Sequence, residues 1–202
     1  MTPTGERLES GEPMSAISHQ ASDRIARVRK RLAKAKNVMV ITGAGVSAES
    51  GIPTFRDDKG LWKEFNPEEY ATREAFERDA AKVWKWYDDR RVKMAQAKPN
   101  PAHLALAAMA QNGRRAFVVT QNVDDLHERA GSKEVVHVHG SLWRIRCERD
   151  GTVLENREAP LSEVPPLCAC GEVMRPDVVW FGEGSCPNRR STGSSPTCLR
   201  AE

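Results

Sequence analysis

Nothing in the 202-residue sequence approaches the roughly 20 consecutive apolar residues that a membrane-spanning helix needs. No stretch before Ala21 has the apolar core of a secretory signal, so the expected location is cytoplasmic. Charge of one sign is not in excess: 31 Lys and Arg face 28 Asp and Glu, a formal net charge of +3. That is too small to argue for a nucleic acid or a membrane surface, and neither is expected as a partner. Apolar residues are lowish at 39%, beside 29% charged residues, yet the length suits one domain or one domain with a small insertion. Cysteine is scarce and odd in number. Three of the five cysteines (Cys147, Cys168 and Cys170) fall with Asp150 in one segment. In a reducing compartment this excludes a disulfide framework as the first reading and points to a metal site or its remnant.

What the sequence does have is a short apolar run, Val38-Met39-Val40-Ile41-Thr42, meeting a glycine turn, Gly43-Ala44-Gly45. A buried parallel strand hands over to a nucleotide-binding helix in this way. The glycines let the backbone come close to a pyrophosphate, and the helix N-terminus supplies free N–H groups. Ala48 takes the third small position of the G-x-G-x-x-G/A pattern. The acidic residue expected about 20 positions further on in a dehydrogenase is missing, which counts against hydride-transfer chemistry.

In chain order, residues 1–21 are polar and read as a disordered leader. An amphipathic helix is expected from Ser22, with Ser22 as cap and Ile25, Val28 and Leu32 on one face. After the first strand, residues 52–62 read as a long loop anchored by Phe55 and Trp62, of the kind that often forms a functional lid. Residues 74–97 read as one helix with Phe76, Ala80, Val83, Trp84 and Tyr87 at helical spacing. On it Tyr87 and Arg90, three apart, share a face and could grip one anion together. A third helix has Asn100 as cap, Pro101 in its first turn, Gly113 as stop, and Leu104, Ala105, Ala108 and Met109 as its buried stripe. Residues 115–120 form the second strand. They deliver Gln121-Asn122-Val123-Asp124 to the strand's C-terminal end, where open α/β sheets bind ligands. A third strand over residues 134–138 brings His139-Gly140-Ser141 to the same edge. Residues 142–175 read as a basic, Cys-containing insert and residues 176–183 as an extended return. Residues 184–202 have no apolar periodicity and read as a disordered tail.

Four separated motifs stand together: Gly43-Ala44-Gly45-Val46-Ser47 with Gly51-Ile52-Pro53-Thr54-Phe55-Arg56; Gln121-Asn122-Val123-Asp124; His137-Val138-His139-Gly140-Ser141; and Pro176-Asp177-Val178-Val179-Trp180-Phe181-Gly182-Glu183. In these the chain resembles the sirtuin family of NAD-dependent protein deacylases over residues 22–183. Tyr87-x-x-Arg90 is similar to the pair that marks class III members, which accept succinyl and malonyl lysine besides acetyl lysine. The resemblance implies an α/β fold with a Rossmann-like parallel sheet and a small inserted module over about 142–175. It also implies that acyl groups pass from protein lysines to NAD, giving nicotinamide and 2′-O-acyl-ADP-ribose. It makes Gly43, Ala44, Gly45, Phe55, Arg56, Trp62, Gln121, Asn122 and Asp124 the NAD contacts and His139 the general base. Tyr87 and Arg90 become the acyl contacts, the Arg90 fork pairing with a distal carboxylate. His137 is read as structural.

The sequence departs from the family in two places. The family's structural zinc is held by two Cys-x-x-Cys pairs. Here the first reads Cys147-Glu148-Arg149-Asp150 and the second Cys168-Ala169-Cys170, a tighter spacing than a tetrahedral zinc site usually shows; either Asp150 joins the three thiols as an oxygen ligand for zinc, or the module is held by Pro and apolar contacts alone. Residues 184–202 match nothing in the family's second half, so the C-terminal part of the sheet is expected to be missing and the chain truncated. The alternative function is then an inactive fragment that at most binds NAD or an acyl-peptide weakly.

Overall fold

The computed structural model describes residues 14–54, 66–110 and 114–183, with side chains described from residue 21 onward. Its first element is α1, Met14–Lys34, which leads into β1, Asn37–Thr42. The helix begins eight residues before Ser22, so Ser22 is no cap, and residues 14–21 belong to the helix and not to a disordered leader. No Gly or Pro interrupts the sequence from Met14 to Thr42, which leaves the helix nothing to stop it earlier. Its apolar face is uncovered, with Ile25 60% and Val28 55% exposed.

β1, β2 (Arg115–Thr120) and β3 (Val135–His137) form a parallel sheet in that order, with Val38 opposite Ala116 and Val118 opposite Val135. This is the α/β, Rossmann-like sheet anticipated from the motif order. Among the described residues β1 is an edge strand. Val38 and Thr42 point into the interior, whereas Met39, Ile41 and Val136 lie exposed.

Between β1 and β2 come α2 (Gly45–Ala48), α3 (Arg73–Arg78), α4 (Ala80–Gln96) and α5 (Pro101–Ala108); α6 (Leu126–Arg129) follows β2. The single helix expected over residues 74–97 is two helices. Asp79 leaves helical geometry and its carboxylate accepts the Lys82 N–H at 2.9 Å, capping α4. Helix α5 starts as its residues dictate, with Asn100 and His103 forming a reciprocal capping box after which Pro101 needs no N–H. Its expected buried stripe does not exist: Leu104, Ala105 and Ala108 are exposed, and the inward residue is His103. Gly113, its expected stop, lies outside the described residues.

The insert is a second, antiparallel sheet of order β5-β4-β6, made of β4 (Gly140–Arg146), β5 (Val153–Glu155) and β6 (Arg175–Val178). It therefore begins at Gly140, not at residue 142. Gly140, at φ 80°, backs onto Asp177 so closely that a Cβ there would lie 2.0 Å from the Asp177 carbonyl oxygen. Only glycine fits this crossing from one sheet to the other. Trp84, Tyr87, Leu142, Ile145, Met174 and Trp180 pack between α4 and this sheet as the main core. Arg91 is fully buried there. Its guanidinium donates to the carbonyls of Leu142 (2.5 Å), Asn156 (2.8 Å) and Glu158 (2.8 Å) and to the Asn156 side chain, tying the insert to α4. Burial pulls the Arg91 pKa below its ordinary value, and its three carbonyl partners are what make the buried charge tolerable. No helix of the described residues is long and apolar enough to cross a membrane.

Candidate active site at the C-terminal edge of the parallel sheet

Strand β1 ends at Thr42, and the chain turns through Gly43 and Ala44 into the single helical turn of α2. A Cβ built on Gly43 or on Gly45 meets nothing within 4 Å among the described residues, which leaves room there that a ligand's phosphates could occupy. No side chain caps the N-terminus of α2. Beside it, β2 delivers Asn122 and Asp124, both buried, to the same edge, and the Gln121 N–H extends the ladder to the Thr42 carbonyl at 3.0 Å.

Ser47 joins the two segments. Its hydroxyl donates to Asp124 Oδ2 at 2.9 Å and accepts from Asn122 Nδ2 at 3.0 Å. Asp124 Oδ1 takes the Leu126 N–H at 3.1 Å, so both carboxylate oxygens are held. Behind Ser47 stands His103. Its Nδ1 accepts the Asn100 N–H at 3.3 Å, which puts the proton of the neutral ring on Nε2, 3.5 Å from Ser47 Oγ. The His103 ring meets the His127 ring edge-on at 4.8 Å, and His127 Nε2 lies 3.0 Å from the Thr42 hydroxyl. Burial pushes both imidazoles below their ordinary pKa and keeps them neutral; for His127 the neighbouring His103 adds to the effect. Ser47, His103 and His127 were not among the site residues expected from sequence. Ser47 does stand inside the glycine motif, and its complete burial is the signal that it serves the site and not the surface.

His139 leaves the end of β3 with Nδ1 3.0 Å from the Gln121 carbonyl oxygen. A carbonyl only accepts, so Nδ1 carries a proton, and Nε2 has no hydrogen-bond partner among the described residues. His137 is engaged at both nitrogens, by the Asn122 carbonyl at 3.0 Å and Glu128 Oε1 at 2.6 Å, and is structural as expected.

A cavity of about 150 Å³ opens between this edge and α4. Ala44, Ser47, Asn122 and Asp124 line one wall, and Trp86, Arg90 and Lys93 the other. Arg90 thus reaches the cavity, but Tyr87 is not one of its lining residues. The Tyr87 ring is buried, its hydroxyl accepts from Trp180 Nε1 at 3.0 Å, and burial pushes its pKa up to about 12. Arg90 nevertheless stands near enough for its charge to act on the phenol, and the Tyr87 hydroxyl keeps its own proton while it accepts from Trp180. Phe55, Arg56 and Trp62 lie outside the described residues.

The metal candidates converge. Cys147, Asp150, Cys168 and Cys170 offer four ligand atoms within 4.8 Å of one another. Cys147 and Cys170 sulfurs are 3.6 Å apart, and Cys168 Sγ is 3.4 Å from Asp150 Oδ2. Tetrahedral zinc with bonds of about 2.3 Å to sulfur needs S···S separations of about 3.8 Å, so three thiolates and one carboxylate fit it. The Thr152 N–H, donating to Asp150 Oδ1 at 2.8 Å, holds that carboxyl well below the usual range and therefore anionic. The tighter Cys-x-Cys spacing is accommodated by a turn in which the Gly171 N–H returns to the Cys168 carbonyl at 2.8 Å.

Comparison with known proteins agrees with this architecture. The Sir2 family profile matches residues 43–194. A relative called NAD-dependent protein deacylase 1, from Caldanaerobacter subterraneus subsp. tengcongensis, is 48% identical over 176 residues, which are 87% of this chain and 72% of that protein. An NAD-dependent protein deacylase from Thermus thermophilus is 54% identical over 169 residues, 80% of this chain and 65% of that one. Among solved structures, a Sir2 homologue–NAD complex superposes with a TM-score of 0.72 at 50% identity, covering 79% of this chain and 62% of that one. The chain thus spans between 62% and 72% of the length of these relatives. By its profile match, its sequence identity and its fold, this chain belongs to the Sir2 family.

Proposed function

We propose that the chain is an NAD-dependent protein-lysine deacylase that takes succinyl and malonyl as well as acetyl groups, yielding nicotinamide and 2′-O-acyl-ADP-ribose. One observation carries the reading. A buried Asn122–Ser47–Asp124 cluster and a histidine whose Nε2 has no partner among the described residues stand at one sheet edge, beside a glycine turn with room for a ligand's phosphates. The names of the relatives support the reaction class.

NAD supplies a ribose carbon from which nicotinamide can be displaced. Gly43, Ala44 and Gly45 would lie against its phosphates. Asn122 and Asp124, locked by Ser47, would border the nicotinamide and its ribose, and Gln121 would contact the ribose. His139 is oriented by the Gln121 carbonyl, and its Nε2 would accept a proton from a ribose hydroxyl of the bound cofactor. On the opposite wall Arg90 offers a forked cation to the distal carboxylate of a succinyl or malonyl group. Three free thiols in one cluster suit the reducing cytoplasm, where we place the protein. Cys147, Cys168, Cys170 and Asp150 would hold a structural zinc that closes the insert's two turns.

The test is release of nicotinamide from NAD and acylated peptides by the purified full chain, with product mass identifying the acyl-ADP-ribose. Turnover on succinyl-lysine and acetyl-lysine peptides is expected. Absence of turnover on every acyl peptide overturns the assignment.

A further inference from the structure

The cavity wall formed by α4 carries Trp86 beside Arg90. Trp86 lies four residues before Arg90, one helical turn away. The Arg90 guanidinium carbon sits 3.1 Å from the centroid of an indole ring, that of Trp86, and Arg90 Nη1 donates to the Trp86 carbonyl at 2.7 Å. The indole is itself fixed. Tyr70 stacks on it with centroids 5.3 Å apart, and Tyr87 meets it edge-on at 4.7 Å. Both Trp86 and Arg90 line the cavity.

We propose that Trp86 is a specificity-determining positioning residue, which holds the Arg90 guanidinium flat at the cavity wall and so presents it to a carboxylated acyl group. The proposal rests on the reading of Arg90 as the carboxylate contact. An arginine side chain free in solution samples many rotamers and loses that freedom when it binds, at a cost in affinity. Stacking on an indole with one N–H already tied to a main-chain carbonyl removes most of that freedom beforehand. A planar guanidinium has five N–H donors, so one bond to the Trp86 carbonyl is compatible with a two-point contact to a carboxylate. A neutral acyl group has nothing to gain from this arrangement, which makes the effect selective.

The experiment compares kcat/KM for succinyl-lysine and acetyl-lysine versions of one peptide in the full chain and in Arg90→Met, Trp86→Leu and Trp86→Phe. The ratio of the two values is the readout, because partial misfolding lowers both equally and leaves it unchanged. In Arg90→Met the ratio is expected to fall at least tenfold. In Trp86→Leu it falls about tenfold, mainly through KM for the succinyl peptide. In Trp86→Phe, which keeps a smaller aromatic face, it falls about two- to fivefold. If Arg90→Met collapses the ratio and both Trp86 variants keep it within twofold of wild type, the positioning role is overturned and the acyl reading stands. If Arg90→Met leaves the ratio unchanged, or the unaltered chain shows no preference for the succinyl peptide, the acyl reading fails and the proposal with it. Should Trp86→Leu not yield folded protein, the Trp86→Phe ratio decides: a change below twofold overturns the proposal.

Discussion

His139 Nδ1 lies 3.0 Å from the main-chain carbonyl oxygen of Gln121, the residue just before Asn122. One bond thus fixes the tautomer of the proposed base and ties it to the strand end that carries Asn122 and Asp124. His139→Ala is expected to lower nicotinamide release with acyl peptide by about 10²–10⁴-fold, the usual contribution of a general base. NAD affinity measured by calorimetry should stay within a few-fold of wild type. A variant with more than a tenth of wild-type turnover would remove His139 from the reaction.

Ser47→Ala is expected to damage both stability and chemistry. It strips the Asp124 carboxylate of one donor and the Asn122 amide of its acceptor, in a buried place. Each orphaned group costs about 1–3 kcal/mol. Denaturant unfolding should show a loss of that order, and turnover should fall further than the folded fraction alone explains. Ser47→Thr, which keeps the hydroxyl, should recover most of the stability only if the extra methyl fits.

The pair His137–Glu128 predicts a pH window for stability. Burial opposes the imidazolium, but the bond and charge of Glu128 outweigh it and lift the His137 pKa above 6.5. Burial likewise opposes the Glu128 carboxylate, and His137 outweighs it and holds that pKa below 4.5. A raised histidine contributes stability that is full below its unfolded value and is lost as pH climbs through the folded one. A lowered carboxyl contributes stability that is full above its unfolded value and is lost as pH falls through the folded one. The pair therefore contributes most between about 4.5 and 6.5. The stability difference between wild type and His137→Gln, measured by denaturant unfolding across pH, should peak in that window and shrink by pH 8. A difference that stays constant across pH would mean the ion pair contributes nothing.

The cysteine cluster predicts about one zinc per chain by elemental analysis of protein purified without chelator. Asp150→Ala and Cys168→Ser should each lose metal to a chelator faster than wild type, with a fall of several degrees in melting temperature on stripping. Asp150→Cys should hold zinc more tightly, because a thiolate replaces the carboxylate. Equal metal content near zero in all four proteins would remove zinc from the site.

Much of this was legible because it is local. The Asn100-Pro101 start of α5, the strand before Gly43 and the β2 end at Thr120 are each written in a few adjacent residues, and each stands where it was expected. What was illegible depends on tertiary partners. Arg91 reads as a solvent residue on a charged helix, and only the carbonyls of Leu142, Asn156 and Glu158, far away in sequence, explain its burial. Strand β4 is hard to read because Trp143 and Ile145 alternate with Arg144 and Arg146, so a half-buried strand reads as part of a basic, Cys-containing insert. Its arginines pair with Asp177 on β6. Asp79, a good cap in the middle of a helical pattern, was outweighed by the periodicity around it. At the site, the bond from the Trp180 indole to the Tyr87 hydroxyl joins residues far apart in sequence, which spacing along α4 does not show.

Among the described residues β1 lies at the edge of its sheet, and that position sets how its amides exchange with solvent. The Lys36 and Thr42 carbonyls accept from Arg115 and Gln121 at 2.8 and 3.0 Å. The two-residue repeat of a parallel ladder then turns Val38, Val40 and Thr42 toward β2 and leaves the N–H groups of Asn37, Met39 and Ile41 pointing away from it. Deuterium uptake along this one strand should alternate residue by residue, fast at Asn37, Met39 and Ile41 and slow at Val38, Val40 and Thr42. The alternation would fade if another strand came to lie along that edge.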